Sequence, residues 1–362
     1  MPLIIGKFWF PGSTGRYLMP RPFYFCTPLV LLIVLLVTGC GKPESSLIRR
    51  SQFLMGTLVE ISVYENNKDI AQPAIQNAFN EIRRVENLMS THIPKSEVSI
   101  INQSSGIRPV PVSPEVFAVI RRALYWAKQT QGALDISLEP VQKLWDFEGD
   151  HPALPEKISL QHELSKVSFT KIKLENQTVF LTEKGMGLNL GAIAKGYAVD
   201  QAIKTLKESN IHHALINAGG DLKSIGSRPD QTAWKIGLQH PRQPESILAS
   251  FSLSGKAVAT SGDYQKYFVH DGIRYHHILN PKTGYPVTDT MSATVIADTV
   301  MDADALSTAL FVMGPEKGLA FINSLKDAEG LLVDKNKVTY LSQGMKGLQN
   351  FSLNSLEENV SH

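Results

Sequence analysis

The chain has 362 residues, 43% of them hydrophobic and 19% charged, which describes a globular protein of one large domain or two lobes sharing a core. The net charge is +2, but residues 1–39 carry Lys7, Arg16 and Arg21 and no acid, so the rest holds 33 basic residues against 34 acidic, a balance of −1 with no sign of a nucleic-acid binder. The two cysteines, Cys26 and Cys40, leave everything after residue 40 without a thiol, which excludes cysteine catalysis, thiolate metal sites and disulfides there.

Residues 29–37 form a nine-residue apolar run preceded by Arg16 and Arg21. A bilayer span takes about 20 residues, so the run is too short to cross and fits a signal-peptide core. It ends in Val37-Thr38-Gly39-Cys40, which resembles a bacterial lipobox. The expectation is a signal peptide over 1–39, then a lipidated Cys40 and a tether over 40–50. That places the protein at the bacterial cell envelope, lipid-anchored to a membrane and facing the periplasm or the cell exterior.

Alternation predicts a strand over 58–64, and Ile75, Phe79, Ile82 and Val85 give residues 70–89 a helical stripe. Ser113 and Pro114 are a helix start, with Val116, Ile120, Ala123 and Ala127 as the buried face. A strand pair is expected at 167–169 and 178–181, a helix at 194–208 and a strand at 214–217. Further strands are expected at 234–238, 248–253, 265–270 and 274–279. A helix over 302–313 is stopped by Gly314-Pro315, and two strands near 329–341 join at Asp334-Lys335-Asn336-Lys337. The tail over 343–362 is polar and expected to be loosely held. Meandering strands with single helices predict an α+β fold with mixed, largely antiparallel sheets. There is no G-x-G-x-x-G after a strand, which disfavours a Rossmann domain.

Four segments are dense in glycine and polar residues. Leu188 to Tyr197 sets glycines ahead of a helix, where backbone N–H groups can approach a phosphate or the chain can simply turn. Asn217-Ala218-Gly219-Gly220-Asp221 either brings backbone near a ligand or closes a turn. The third segment runs from Ala257 to Tyr264 and on to His276-His277 and Asn280-Pro281-Lys282-Thr283-Gly284. Neighbouring histidines on a strand face opposite ways, so one inward imidazole acting as a base is more natural than a shared metal. In Met301 to Ala309, Asp304 and Thr308 share a helical face as hard oxygen ligands suited to Mg²⁺. Alternatively, Asp302 or Asp304 merely favours the positive end of its helix.

These segments, with Phe53 to Thr57, Met89 to Asn102 and Gly132 to Asp135, stand in the order found in the ApbE family of FAD:protein FMN transferases. The chain resembles that family from about residue 51 to 342. The resemblance implies a T-fold-related arrangement of sheets and helices, with FAD in a cleft and Mg²⁺ on its pyrophosphate. It implies that Asp304, Thr308 and backbone carbonyls at Ser307 and Ala192 hold the metal, and that His277 is the catalytic residue. It places Met55, Asp135, Ala192, Lys195, Gly219, Gly220, Asp221, Ser261, Gly262 and Asp263 along the cofactor. The implied reaction moves FMN from FAD to a Thr or Ser hydroxyl and releases AMP. Implied acceptors are flavoprotein subunits of respiratory complexes of the sodium-pumping NADH:quinone reductase or Rnf type. Asn189 and Asn280 stand where many members carry Asp, and His92 where many carry Tyr. The same site would suit an FAD pyrophosphatase. A flavin-storing lipoprotein would need neither His277 nor the Asp304/Thr308 pair.

Overall fold

Eight strands, each antiparallel to its neighbours, form the central sheet of a computed structural model that describes residues 46–145, 147, 152–354 and 356. In sheet order they are β1 (Leu47–Leu54), β2 (Thr57–Tyr64), β6 (Ala214–Ala218), β7 (Asp221–Ile225), β10 (Ala257–Gly262), β13 (Thr290–Ala297), β14 (Glu329–Asp334) and β15 (Thr339–Leu341). One face carries helices α1 (Lys68–Met89), α6 (Ala194–Glu208) and α7 (Val300–Met313), with α8 (Pro315–Asn323) beside α7. The other carries a three-stranded sheet of β8 (Trp234–Gln239), β9 (Ile247–Leu253) and β16 (Ser352–Leu353).

A sheet covered on both faces buries both sides of its middle strands. All eight residues of β13 are buried. The pleat sends Ala293, Val295 and Ala297 to the helices, with Ala257 and Ala259 of β10, and sends Ile296 and Val258 toward Trp234 and Phe251. Small side chains on the helix face let α7 lie close. Next to it, α6 approaches so tightly that a Cβ on Gly196 would stand 2.3 Å from the Val300 carbonyl oxygen. The N-termini of α6 and α7 are thereby fixed side by side.

The remaining elements wrap one end of this core. They are α2 (Glu97–Gln103), α3 (Pro114–Gln129), α4 (Glu139–Gln142), α5 (Lys157–Leu164) and the small sheet β3 (Val110–Pro111), β5 (Thr178–Leu181) and β4 (Ile172–Glu175). The hairpin β11 (Tyr267–His270) and β12 (Ile273–His276) packs Phe268 against Trp145, Leu138 and Leu160. No helix among the described residues is long and apolar enough to cross a membrane.

The α+β class and the largely antiparallel sheets are as expected from the sequence. Residues 167–169 are not the strand expected there. Ser168 Oγ accepts from Thr170 N–H and the Phe169 N–H goes to Asp135, so the chain turns, and β4 starts at Ile172. Residues 47–50, expected as the end of a tether, belong instead to β1, which begins at Leu47 and pairs along its whole length with β2. The described part of the tail is held rather than loose: β16 adds to β9, and Met345 and Leu356 are buried in the second core. The expected signal peptide, Cys40 and residues 41–45 lie outside the described residues.

Candidate active site

The four glycine-rich segments converge on one cleft of about 1330 Å³, larger than the ~300–1,000 Å³ of most small-molecule sites. Its floor is the start of α6. Gly191 N–H is held by the Asn189 side-chain oxygen at 2.8 Å, an acceptor that Asp would also supply. Ile193 occupies the N-cap position of α6 without a side-chain cap, and the first turn contains no acid. The positive end of this helix is met instead from α7, where the Asp304 carboxylate accepts from Gly196 N–H at 2.9 Å.

Lys195 projects from the same turn and bonds the Asp221 carboxylate, with Asp304 Oδ1 4.0 Å away. Burial opposes the ammonium charge, but Asp221 and Asp304 outweigh it and hold the Lys195 pKa above its ordinary value. Asp221 is itself pushed upward, by burial and by the charge of Asp304. Two buried carboxylates thus face a single ammonium. Asp221 is aimed by the turn before it, where Gly219 and Gly220 have φ of 62° and 102° and Gly220 N–H donates to the Asn217 side chain. Gly219 also has no room for a Cβ, which would lie 2.3 Å from Thr57 Oγ1.

Ser261 of β10 faces α7, its Oγ 2.9 Å from Ser307 Oγ and 3.2 Å from Thr308 Oγ1. Asp304 and Thr308 both line the cleft, as their i, i+4 spacing implied. The open alternative for the helix end resolves onto the other aspartate. Asp302 closes a cap with Thr299 and accepts from Arg122 and from Trp126 Nε1, tying α7 to α3. Among the described residues no three His, Cys, Asp or Glu side chains gather as a metal-ligand group. A cation here would draw on Asp304 together with hydroxyls, carbonyls and its ligand's phosphates, the usual mix for Mg²⁺.

His276 and His277 face opposite ways. His276 is buried, its Nε2 2.6 Å from the Val287 carbonyl and its Nδ1 accepting from Ile278 N–H. His277 lies one residue past the end of β12, not within a strand, and lines the cleft. Its Nδ1 is 3.3 Å from the Lys266 carbonyl, which can only accept, so Nδ1 carries the proton and Nε2 keeps its lone pair. Burial, then the neighbouring charges of His276, Lys266 and Lys195, push this imidazole down to about 4 against the bond to Lys266. It is therefore a neutral base at neutral pH.

Met55, Asp135, Ala192, Lys195, Gly219, Gly220, Ser261, Asp304, Thr308 and His277 all line the cleft. Four expected residues do not. Asp221 stands behind Lys195, and Ser307 is buried with its hydroxyl bonded to the Asp304 carbonyl. Gly262 leaves space for the Tyr264 ring, which a Cβ would meet at 2.5 Å. The Asp263 carboxylate is taken by a fork from Arg242 at 2.7 and 2.6 Å, with Arg274 at 3.4 Å. Asp135 reaches the cleft, but both oxygens are engaged, one by Ser137 and the other by Phe169 N–H. The sequence reading missed Arg242, whose link to Asp263 spans 21 residues without a local signal. It also missed the aromatic wall of Trp145 and Phe147, stacked at 5.6 Å, for which the aromatic pair two residues apart was the available cue.

Comparison with known proteins gives a consistent picture. Residues 55–332 match the profile described as the ApbE family. An FAD:protein FMN transferase of Klebsiella pneumoniae is 34% identical over 296 residues, 81% of this chain and 90% of the relative. One from Treponema pallidum is 30% identical over 344 residues, 89% and 94% of the two chains. Among solved structures, the ApbE protein of Thermotoga maritima superposes with a TM-score of 0.78 at 31% identity, covering 84% of this chain and all of its own. The flavin transferase ApbE from Vibrio cholerae gives 0.77 at 28% identity with the same coverage.

Proposed function

The chain belongs to the ApbE family, and on that footing we propose that it is an FAD:protein FMN transferase, moving FMN from FAD onto another protein. The observation that carries this reading is the convergence, in one cleft, of a neutral imidazole with an anion site. That site combines the N-terminus of α6, which has no cap from its own N-cap residue and whose Gly196 N–H is held by Asp304, with the Lys195 ammonium and the Asp304/Thr308 oxygens. The pyrophosphate of FAD suits the α6 terminus, where backbone dipole and ammonium both favour negative charge.

In the step itself the acceptor Ser or Thr oxygen attacks the FMN phosphorus, and the bond from that phosphorus to the AMP oxygen breaks. The hydroxyl proton passes to Nε2 of His277, and AMP leaves. The Lys266 carbonyl holds the ring in the tautomer that can accept. The arriving phosphates raise the affinity of His277 for a proton by placing negative charge beside it.

Mg²⁺ fits the donor set on its charge: two buried carboxylates against one ammonium leave room for a cation, and Thr308 supplies a hydroxyl. Asp304 and Thr308, with the carbonyls at Ala192 and Ser307, would hold it. When bound, the ion would neutralise charge growing on the phosphate oxygens. The acceptor class we favour is the flavoprotein subunits of respiratory complexes, of the sodium-pumping NADH:quinone reductase or Rnf type. We also place the enzyme on the outer side of a bacterial membrane, anchored through Cys40. Cys40→Ser should release it from the membrane fraction, and unchanged fractionation with normal cleavage would overturn that placement.

The deciding experiment incubates the protein with FAD, Mg²⁺ and such a subunit, then looks for flavin fluorescence on the acceptor band of a denaturing gel. A fluorescent band that disappears with EDTA supports the reading. Stoichiometric release of FMN and AMP with an unlabelled acceptor would make the enzyme a pyrophosphatase instead.

A further inference from the structure

The transfer reaction needs a second polypeptide at the mouth of the cleft, and one rim offers it an apolar seat. β1 and β2 meet in the tight turn Met55–Gly56, both residues at positive φ (51° and 71°), and this turn lines the cleft. The turn stands against the loop that holds the catalytic imidazole. A Cβ on Gly56 would lie 3.4 Å from Lys266 Nζ, and the Lys266 carbonyl is the partner of His277. Just outside the turn, Phe53 and Leu58 are direct cross-strand partners, so their side chains emerge together on one face. Phe53 is 74% exposed and Leu58 40% exposed. β1 is also the first strand of its sheet, and no described strand pairs with its outer edge.

Beside the turn, the other large apolar residues of this hairpin point into the core, as Leu54, Val59, Ile61 and Val63 do, and the exposed Leu47 lies at the far end of β1. A phenyl ring left in solvent at the lip of a reaction cleft is the residue type that anchors protein interfaces. We infer that the Phe53–Leu58 pair docks the acceptor protein, seating an apolar side chain that lies within a few residues of the hydroxyl to be modified. The inference rests on the transferase reading and deepens it. FAD occupies the cleft between Lys195 and His277, and the acceptor segment passes over the β1–β2 turn to reach it. The occupant is the acceptor because the surface is continuous with the one place where the reaction requires another chain.

The test measures acceptor KM, acceptor kcat and FAD Kd for Phe53→Ser, Leu58→Ser and the conservative Phe53→Leu, all in the full-length protein. Labelling of the acceptor subunit is followed by in-gel fluorescence, and FAD binding by flavin quenching. The expected result is an acceptor KM raised about tenfold in Phe53→Ser, an unchanged kcat at saturating acceptor and an unchanged FAD Kd. Phe53→Leu should retain most of the wild-type KM. An unchanged KM in both serine variants overturns the docking surface. So does a loss of FAD affinity, which would make the pair part of the nucleotide site, and so does a wild-type protein that is dimeric by light scattering and becomes monomeric in the serine variants, which would assign the patch to a second copy. If the wild-type enzyme leaves the acceptor unlabelled, the transferase reading fails and the docking surface with it. Labelling with unaltered KM sinks the docking alone.

Discussion

Adding one methyl group at Gly196 tests how the site is held together. An alanine Cβ there would lie 2.3 Å from the Val300 carbonyl oxygen, 2.6 Å from its carbon and 2.8 Å from Met301 Cα. All three are backbone atoms of α7, so no side chain can swing aside. Ordinary contact begins near 3.4 Å, and the two helices must therefore part by about 1.1 Å. Overpacking of this kind costs about 1–3 kcal/mol, while alanine in place of glycine returns at most about 1 kcal/mol of helix propensity. The net loss is modest, and at about 2–4 °C per kcal/mol in domains of 150–250 residues the melting temperature should fall by only a few degrees. The functional loss should be larger. Gly196 N–H is where Asp304 caps α6, so parting the helices moves the carboxylate, the ammonium and the helix end relative to one another. A displacement of ~1 Å in a catalytic site can lower the rate about 10²-fold. The assay pairs scanning calorimetry with in-gel flavinylation of a fixed acceptor. Wild-type turnover together with an unchanged or raised melting temperature would show that the α6–α7 contact is not as tight as described.

Other perturbations separate the roles of neighbouring residues. His277→Ala should slow flavinylation by about 10²–10⁴-fold, the range for loss of a general base, with FAD binding retained. His276→Ala should instead lower the melting temperature, because its ring bonds the Val287 carbonyl and Ile278 N–H inside the core; a catalytically dead His276 variant beside an active His277 variant would reverse the assignment. Asp304→Ala is expected to abolish Mg²⁺ stimulation. Asp302→Ala should keep that stimulation but lose about 1–3 kcal/mol of stability as Arg122, Trp126 and Thr299 lose their acceptor, which urea titration measures. His277 is held near 4 in the fold against 6.5 outside it, so below 6.5 the unfolded chain takes up a proton that the native chain refuses. Its contribution to stability is therefore complete above about pH 6.5 and is lost as the pH falls toward 4. The acid limb of kcat/KM, which reports the free enzyme, should likewise lie near 4, and a limb near 6.5 would show that the imidazole is not desolvated as described.

The long helices α1 and α3 were legible because one face is wet, whereas the short α2, α5 and α8 carry too few turns to show a stripe. The stripe of Ile75, Phe79, Ile82 and Val85 and the Ser113 cap are local signals, and local signals survive folding. β13 went unread: Thr290, Ser292 and Thr294 alternate with apolar residues, but all eight positions are buried, so the alternation does not mark a wet face. β1 was absorbed into the tether for the opposite reason: at the edge of the sheet, Arg49, Arg50, Ser51 and Gln52 read as a polar linker. In the site, Asp304 and Thr308 could be paired from helical spacing, and His276 and His277 separated by strand geometry. The Lys195–Asp221 bond and the Arg242–Asp263 fork join residues more than twenty positions apart. Lys195 opens α6, and Arg242 and Asp263 lie in loops beyond β8 and β10, so only the packing of the assembled layers brings these partners together.

The docking of β16 onto β9 governs when this molecule can finish folding. Trp234, Phe251 and Leu253 lie more than ninety residues before the segment that helps cover them, which contributes Met345 and Leu356. During synthesis the central sheet and its helices can assemble while residues 345–356 are still inside the ribosome, but that half of the interior stays open until they emerge. An unsealed interior keeps a nascent chain loosely closed and easy to pull straight. The pairing of β16 with β9 is therefore the closing step for that half of the interior, and it depends on a segment near the end of the chain.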